Sequence, residues 1–164
     1  MFGVSLDQQS EQAIIPPIDL TLCPGEVVFI TGVSGGGKST VLRLIEQAIR
    51  SEHASDQAAR PGIIAVTSLP ALPDAALVDA LARPEGNDAA APPSAALETV
   101  CRWLSLAGLN DAAVMLRRPC ELSEGQRYRL HLAQAMAIAE RMNEPWCVML
   151  ADEYGSTLDR ATSM

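Results

Sequence analysis

The sequence predicts an α/β fold built around a mainly parallel sheet, and two observations carry that prediction. Short apolar runs, the first of them β-branched, stand at 26–32 (EVVFITG), 62–67 (GIIAVT) and 147–151 (CVMLA). Bounded by glycine, proline or polar residues, they have the pattern of strands buried on both faces. Between them, apolar residues recur at helical spacing, which gives the order strand, helix, strand, helix, strand.

The first run follows Pro24 and Gly25 and ends at Gly32, where a glycine-rich loop begins. From Lys38, the segment KSTVLRLIEQAIRSE spaces Val41, Leu42, Leu44, Ile45 and Ile49 as the apolar face of an amphipathic helix. The second run follows the break Arg60-Pro61-Gly62 and is expected to pair in the same sheet. Residues 70–96 are rich in proline and alanine and read as a mobile loop or linker. Residues 97–107 and 111–116 read as short helices, with Val100, Trp103, Leu104 and Leu106 packing inward. Trp103 reads as core rather than as a platform for a ligand. From Ser123 a long helix pattern opens with a capping box, Ser123 and Gln126 three residues on. The last run delivers Asp152 and Glu153 to the carboxyl edge of the sheet, the edge where open α/β folds bind ligands.

A chain of 164 residues fits one domain with a sizeable core. No apolar run approaches the roughly 20 residues of a membrane-spanning helix. The opening MFGVSLDQQSEQ lacks the basic start and apolar stretch of a secretory signal, so a cytoplasmic location is expected. Cys23, Cys101, Cys120 and Cys147 are scattered singly, without the C-x-x-C pairs or nearby histidine of a zinc site, and read as reduced thiols. Twenty acids against 12 bases give a formal charge of -8, which argues against nucleic acid or an anionic lipid surface as a partner. Lys38 is the single lysine, and it falls inside the loop that carries the clearest chemistry.

That loop, GVSGGGKS at 32–39, satisfies G-x-x-x-x-G-K-[ST] between a strand and a helix, the phosphate-binding loop of nucleotide hydrolases. Gly32, Ser34, Gly35, Gly36, Gly37, Lys38, Ser39 and Thr40 are therefore the candidate nucleotide site. Glycines let backbone amides converge on an anion at a positive helix end, Lys38 reaches the β- and γ-phosphates, and the Ser39 hydroxyl coordinates Mg2+. Asp152 is the second candidate metal ligand, and Glu153 is the carboxylate placed to polarise the attacking water. On its own, such a pair reads as an exposed acidic strand end; the phosphate loop upstream gives it a role.

With these residues in view, the chain resembles the ATP-binding cassette (ABC) ATPases over most of its length. IIPPIDLTLCPGEVVFITGVSGGGKSTVLRLI is similar to the family's lead-in and Walker A motif, and VMLADE to Walker B with its catalytic glutamate. Leu122, Ser123, Glu124, Gly125 and Gln126 spell LSEGQ, similar to the LSGGQ signature except at Glu124. STLD, with Ser156 and Asp159, stands at the D-loop spacing. The resemblance implies a P-loop NTPase with a three-layer αβα core at 1–69 and 143–164 and a small helical subdomain at about 70–142. It also implies that two such domains, as a homodimer or heterodimer, sandwich Mg-ATP, with Ser123 and Gly125 of one meeting the γ-phosphate held by the other. Ser123 also reads as the cap of its own helix, and both roles can hold together.

Several positions depart from the family pattern. No glutamine follows the second strand where the Q-loop stands (IAVTSLP), Tyr154 replaces a proline, and Phe2 is a distant candidate for stacking on adenine. Neither His53 nor His131 matches the switch histidine. These features point to a divergent branch, with a non-transporter role among the expectations. Family members continue past the D-loop into a strand that lies between the Walker A and Walker B strands, so a fragment, or a chain needing a further domain or subunit, is expected. The rival readings are an ATP-binding switch with little turnover and an interaction module that has lost its nucleotide.

Overall fold

In the computed structural model, residues 17–52, 61–82, 93–142, 144 and 146–152 are described. Helix α1 spans Lys38–Glu52, strand β1 Gly62–Ala65, helix α2 Leu77–Ala82 and helix α3 Pro93–Leu106. They are followed by α4 (Ala112–Met115), α5 (Glu124–Arg141) and β2 (Cys147–Leu150). Strands β1 and β2 pair in parallel, with Gly62 opposite Cys147 and Ala65 opposite Leu150. Their carboxyl ends therefore emerge side by side, with Val66 following one and Ala151 and Asp152 the other. The described residues thus show an α/β arrangement with a small parallel sheet.

Two apolar clusters hold these elements together. The larger joins Leu77 and Leu81 of α2, Val100, Trp103 and Leu104 of α3, Val114 of α4, and Leu130, Ala133 and Ala137 of α5. The smaller packs Ala135 of α5 against Ile64 and Val66, with Tyr128, Leu132, Ile138 and Ala139 around them. At about 100° per residue, these two sets lie on opposite sides of α5. Helix α5 is the element shared by both cores. Gly62 marks its close approach to the sheet, because a Cβ there would meet Met142 Sδ at 2.7 Å.

Polar groups reinforce the α3–α5 seam. Trp103 Nε1 donates to Glu140 Oε2 at 2.6 Å, Arg102 Nη2 donates to the same oxygen at 2.7 Å, and Arg141 stands 5.4 Å over the Trp103 ring. Arg141 Nη2 also donates to Leu81 O at 2.9 Å. Trp103 is core, as its spacing predicts.

The elements differ from the sequence expectation at five places. Residues 26–31 take no strand form, and Val27 is 90% and Phe29 65% exposed. A strand buried on both faces needs a flanking strand and a covering helix layer. The two-stranded sheet does not include this segment. Helix α1 forms as predicted, yet of its expected apolar face Leu44 is exposed, and Val41, Leu42, Ile45 and Ile49 are half-buried and join neither core cluster. Strand β2 alternates between exposed and half-buried rather than being buried on both faces, for the same lack of flanking layers. Leu106 is 68% exposed, because Val100, Trp103 and Leu104 share a face at i, i+3 and i+4 from which Leu106 is turned away. Finally, the supposed linker at 70–96 contains α2, whose Leu77, Ala80 and Leu81 are buried at that same spacing. Residues 83–92 lie outside the described set.

Candidate nucleotide-binding site

The loop at 32–40 is shaped by its glycines. Gly35 and Gly37 have φ of 77° and 84°, in the left-handed region that side chains disfavour. Gly36 donates its N–H to Val33 O at 3.0 Å, and a Cβ on it would stand 3.0 Å from that same oxygen. Val41 N then donates to Gly37 O at 2.9 Å, which starts α1. The first turn of α1 contains no acid, so the positive end of its dipole is not offset by a neighbouring carboxylate. Lys38 Nζ folds back over the loop and donates to Gly32 O at 3.0 Å and Val33 O at 2.9 Å. Ser39 and Thr40 are exposed beside it. An ammonium, helix-end amides and hydroxyls with no acid among them are a donor set that fits a polyphosphate.

The turn before α5 is equally well defined. Ser123 is the N-cap; its hydroxyl accepts from Gln126 N at 3.3 Å, while Gln126 Oε1 accepts from Ser123 N at 3.1 Å. This is the capping box read from the sequence. Leu122 is buried in the helical cluster and anchors the turn, Glu124 is exposed, and Gly125 is half-buried. Ser123→Ala is expected to lower stability by about 1 kcal/mol, the usual cost of losing a hydroxyl cap, as measured by chemical denaturation.

Asp152 is half-buried just beyond β2, and its main-chain carbonyl accepts from Tyr128 Oη at 3.5 Å. Glu153, Ser156 and Asp159 lie outside the described residues. The structure thus brings α5 and the Asp152 segment together, while residues 32–40 join neither core cluster.

Two polar residues on α5 were not singled out from the sequence. One is Tyr128. The other is Gln134, 5% exposed, whose Nε2 donates to Pro70 O at 2.8 Å and so fixes the loop that follows β1. A glutamine inside the alanine-rich run LAQAMA was the available signal.

His131 is half-buried on α5 and its pKa is pushed below 6.5, first by burial and then by the nearby Arg127 charge. Folding therefore favours the neutral imidazole. That contribution is complete above the unfolded value of 6.5 and is lost as pH falls through it toward the folded value. Glu140 is held below its ordinary 4.5, chiefly by the Trp103 hydrogen bond, so its contribution persists to lower pH before it too is lost. Thermal midpoints are expected to fall between roughly pH 7.5 and 5.5, and His131→Gln to flatten that slope.

The sequence profile described as "ABC transporter" matches residues 15–153. An aliphatic sulfonates import ATP-binding protein of Xanthomonas axonopodis pv. citri is 35% identical over 160 residues, which is 91% of this chain and 59% of that protein. An Fe(3+) ions import ATP-binding protein of Mesorhizobium japonicum is 34% identical over 164 residues, covering 90% of this chain and 42% of its own length. A methionine import ATP-binding protein of Xanthomonas oryzae pv. oryzae is 33% identical over 165 residues, covering 90% and 46%. The chain thus spans 42 to 59% of the length of these relatives. No solved structure matches the chain at comparable significance.

Proposed function

This chain belongs to the ABC transporter family, and from that premise we propose that it binds Mg-ATP on residues 32–40 and hydrolyses it in a paired assembly. The observation that carries this reading is the Lys38 ammonium held over the loop by the carbonyls of Gly32 and Val33. Lys38 exchanges these carbonyls for β- and γ-phosphate oxygens when nucleotide arrives, while the amides of residues 35–40 receive the remaining charge. Ser39 and Asp152 would hold Mg2+ through hard oxygen ligands, and the ion would supply positive charge to offset that of the phosphates. Glu153 orients and polarises the attacking water.

In this reading Leu122, Ser123, Glu124, Gly125 and Gln126 close over the nucleotide of a second ABC-type domain, with Ser156 and Asp159 at the contact between the two. A three-layer αβα core and a helical subdomain at about 70–142 provide the frame. The matched relatives are import ATP-binding proteins. Coupling of the ATP cycle to a membrane importer from its cytoplasmic side is the role we assign. Among the described residues no helix is long and apolar enough to cross a membrane.

Calorimetry with Mg-ATP tests binding, and steady-state phosphate release tests turnover. The second reading is an ATP-binding switch with little turnover. It is favoured by residues 64–70, which hold no glutamine at the Q-loop position. Binding without measurable phosphate release selects it.

A further inference from the structure

Helix α5 begins at the turn expected to meet a partner's nucleotide and packs back along the sheet, with Ala135 against Ile64 and Val66 and Met142 beside Gly62. Two of its side chains make polar contacts beyond the strands' carboxyl ends. Gln134 ties it to Pro70 O beyond β1 at 2.8 Å, and Tyr128 Oη reaches Asp152 O beyond β2 at 3.5 Å. The Tyr128 side chain also packs in the cluster of Ile64, Val66 and Ala135, which fixes the direction in which its hydroxyl points. Ser123 and Gln126 cap the same helix one turn earlier, so Tyr128 moves with them as part of one rigid element.

We propose that Tyr128 is a positioning residue for Asp152, holding the main chain at the end of β2 so that the Asp152 carboxylate meets the metal of the Mg-ATP complex. The proposal rests on the reading of Asp152 as a metal ligand. The peptide unit is planar, so a bond to Asp152 O constrains both the backbone on which that carboxylate is mounted and the peptide bond leading into Glu153. A ligand to Mg2+ must be placed closely, because the ion demands near-octahedral geometry at about 2.1 Å. A phenol that is packed on one side and bonded on the other supplies that restraint without touching the nucleotide. This differs from a core role, in which the ring alone matters.

The test uses the whole chain carrying Tyr128→Phe, which keeps the ring and removes the hydroxyl. The expected result is a fall in kcat of roughly three- to tenfold, the span that one hydrogen bond supports. The Mg2+ concentration for half-maximal turnover, and the Mg2+ affinity of the ATP complex by calorimetry, should weaken by a comparable factor. The thermal midpoint and the metal-free ATP affinity should stay as in the wild type. Tyr128→Leu should add a loss of stability to those changes, which separates the ring from the hydroxyl. Wild-type kcat and Mg2+ dependence in Tyr128→Phe overturn the proposal. So does a loss in Tyr128→Phe that appears equally in the thermal midpoint and in metal-free ATP affinity, since packing alone then explains it. Unchanged Mg2+ affinity of the ATP complex in Asp152→Asn overturns the underlying reading and the proposal with it, whereas weakened Mg2+ affinity in Asp152→Asn beside an unchanged Tyr128→Phe overturns the proposal alone.

Discussion

Lys38→Ala is expected to weaken ATP binding by on the order of a hundredfold or more, since each hydrogen bond from a charged donor contributes about 1.5–3 kcal/mol. Lys38 is the only lysine in the chain, so no other ammonium stands in for it. The fold should be nearly indifferent to the change. The bonds of Lys38 to Gly32 O and Val33 O are exposed, and water can replace them. Calorimetry of ATP binding beside a thermal melt makes the distinction: affinity lost at an unchanged midpoint supports the phosphate-loop assignment, and unchanged affinity ends it. Lys38→Arg is a sharper version of the experiment. A planar guanidinium fits a loop closed around a compact ammonium poorly, so it should restore only part of the affinity.

The parts of this molecule legible in the sequence were those fixed by local chemistry. The capping box at Ser123 and Gln126 is a matter of four consecutive residues, and it forms as read. Helix α1 starts at Lys38 because the glycines before it can take the backbone angles that the loop requires. That the runs at 62–67 and 147–151 share one parallel sheet was also anticipated, from their shortness and their apolar character between sequence breaks.

What the sequence misjudged depends on neighbours. Residues 26–31 carry the composition of a buried strand, but composition states only what a segment requires of its surroundings, and the described sheet does not supply them. Helix α2 was hidden for the opposite reason. Its six residues sit in proline- and alanine-rich surroundings that read as a linker, while Leu77 and Leu81 find their partners in α3 and α5. Tyr128 left no signal as a site residue, and even for Gln134 the sequence could not name the partner, because each side chain acts on a main-chain carbonyl and carbonyls leave no trace in residue identity.

Replacement of Glu153 by glutamine is expected to separate binding from chemistry. The amide is nearly isosteric and still hydrogen-bonds water, but it carries no negative charge with which to draw off a proton. Loss of a general base lowers rates by about 10²–10⁴-fold, so phosphate release should fall by at least the lower figure. ATP affinity should hold within about twofold, because in the proposed reading residues 32–40, and not the carboxylate, hold the phosphates. With hydrolysis blocked, the nucleotide-sandwiched pair loses its route back to monomers, so light scattering should show an ATP-dependent dimer in Glu153→Gln that the wild type populates only transiently. Mg2+ removal should abolish that dimer if Ser39 and Asp152 hold the ion between protein and phosphates. The variant also separates the two readings of function. A wild type that turns over at least a hundredfold faster than Glu153→Gln is a hydrolase with Glu153 as its base. Equal and negligible rates in both, with tight ATP binding retained, make the domain a nucleotide-driven switch. Equal rates that are both substantial would remove Glu153 from the reaction and leave the polarisation of water to another group.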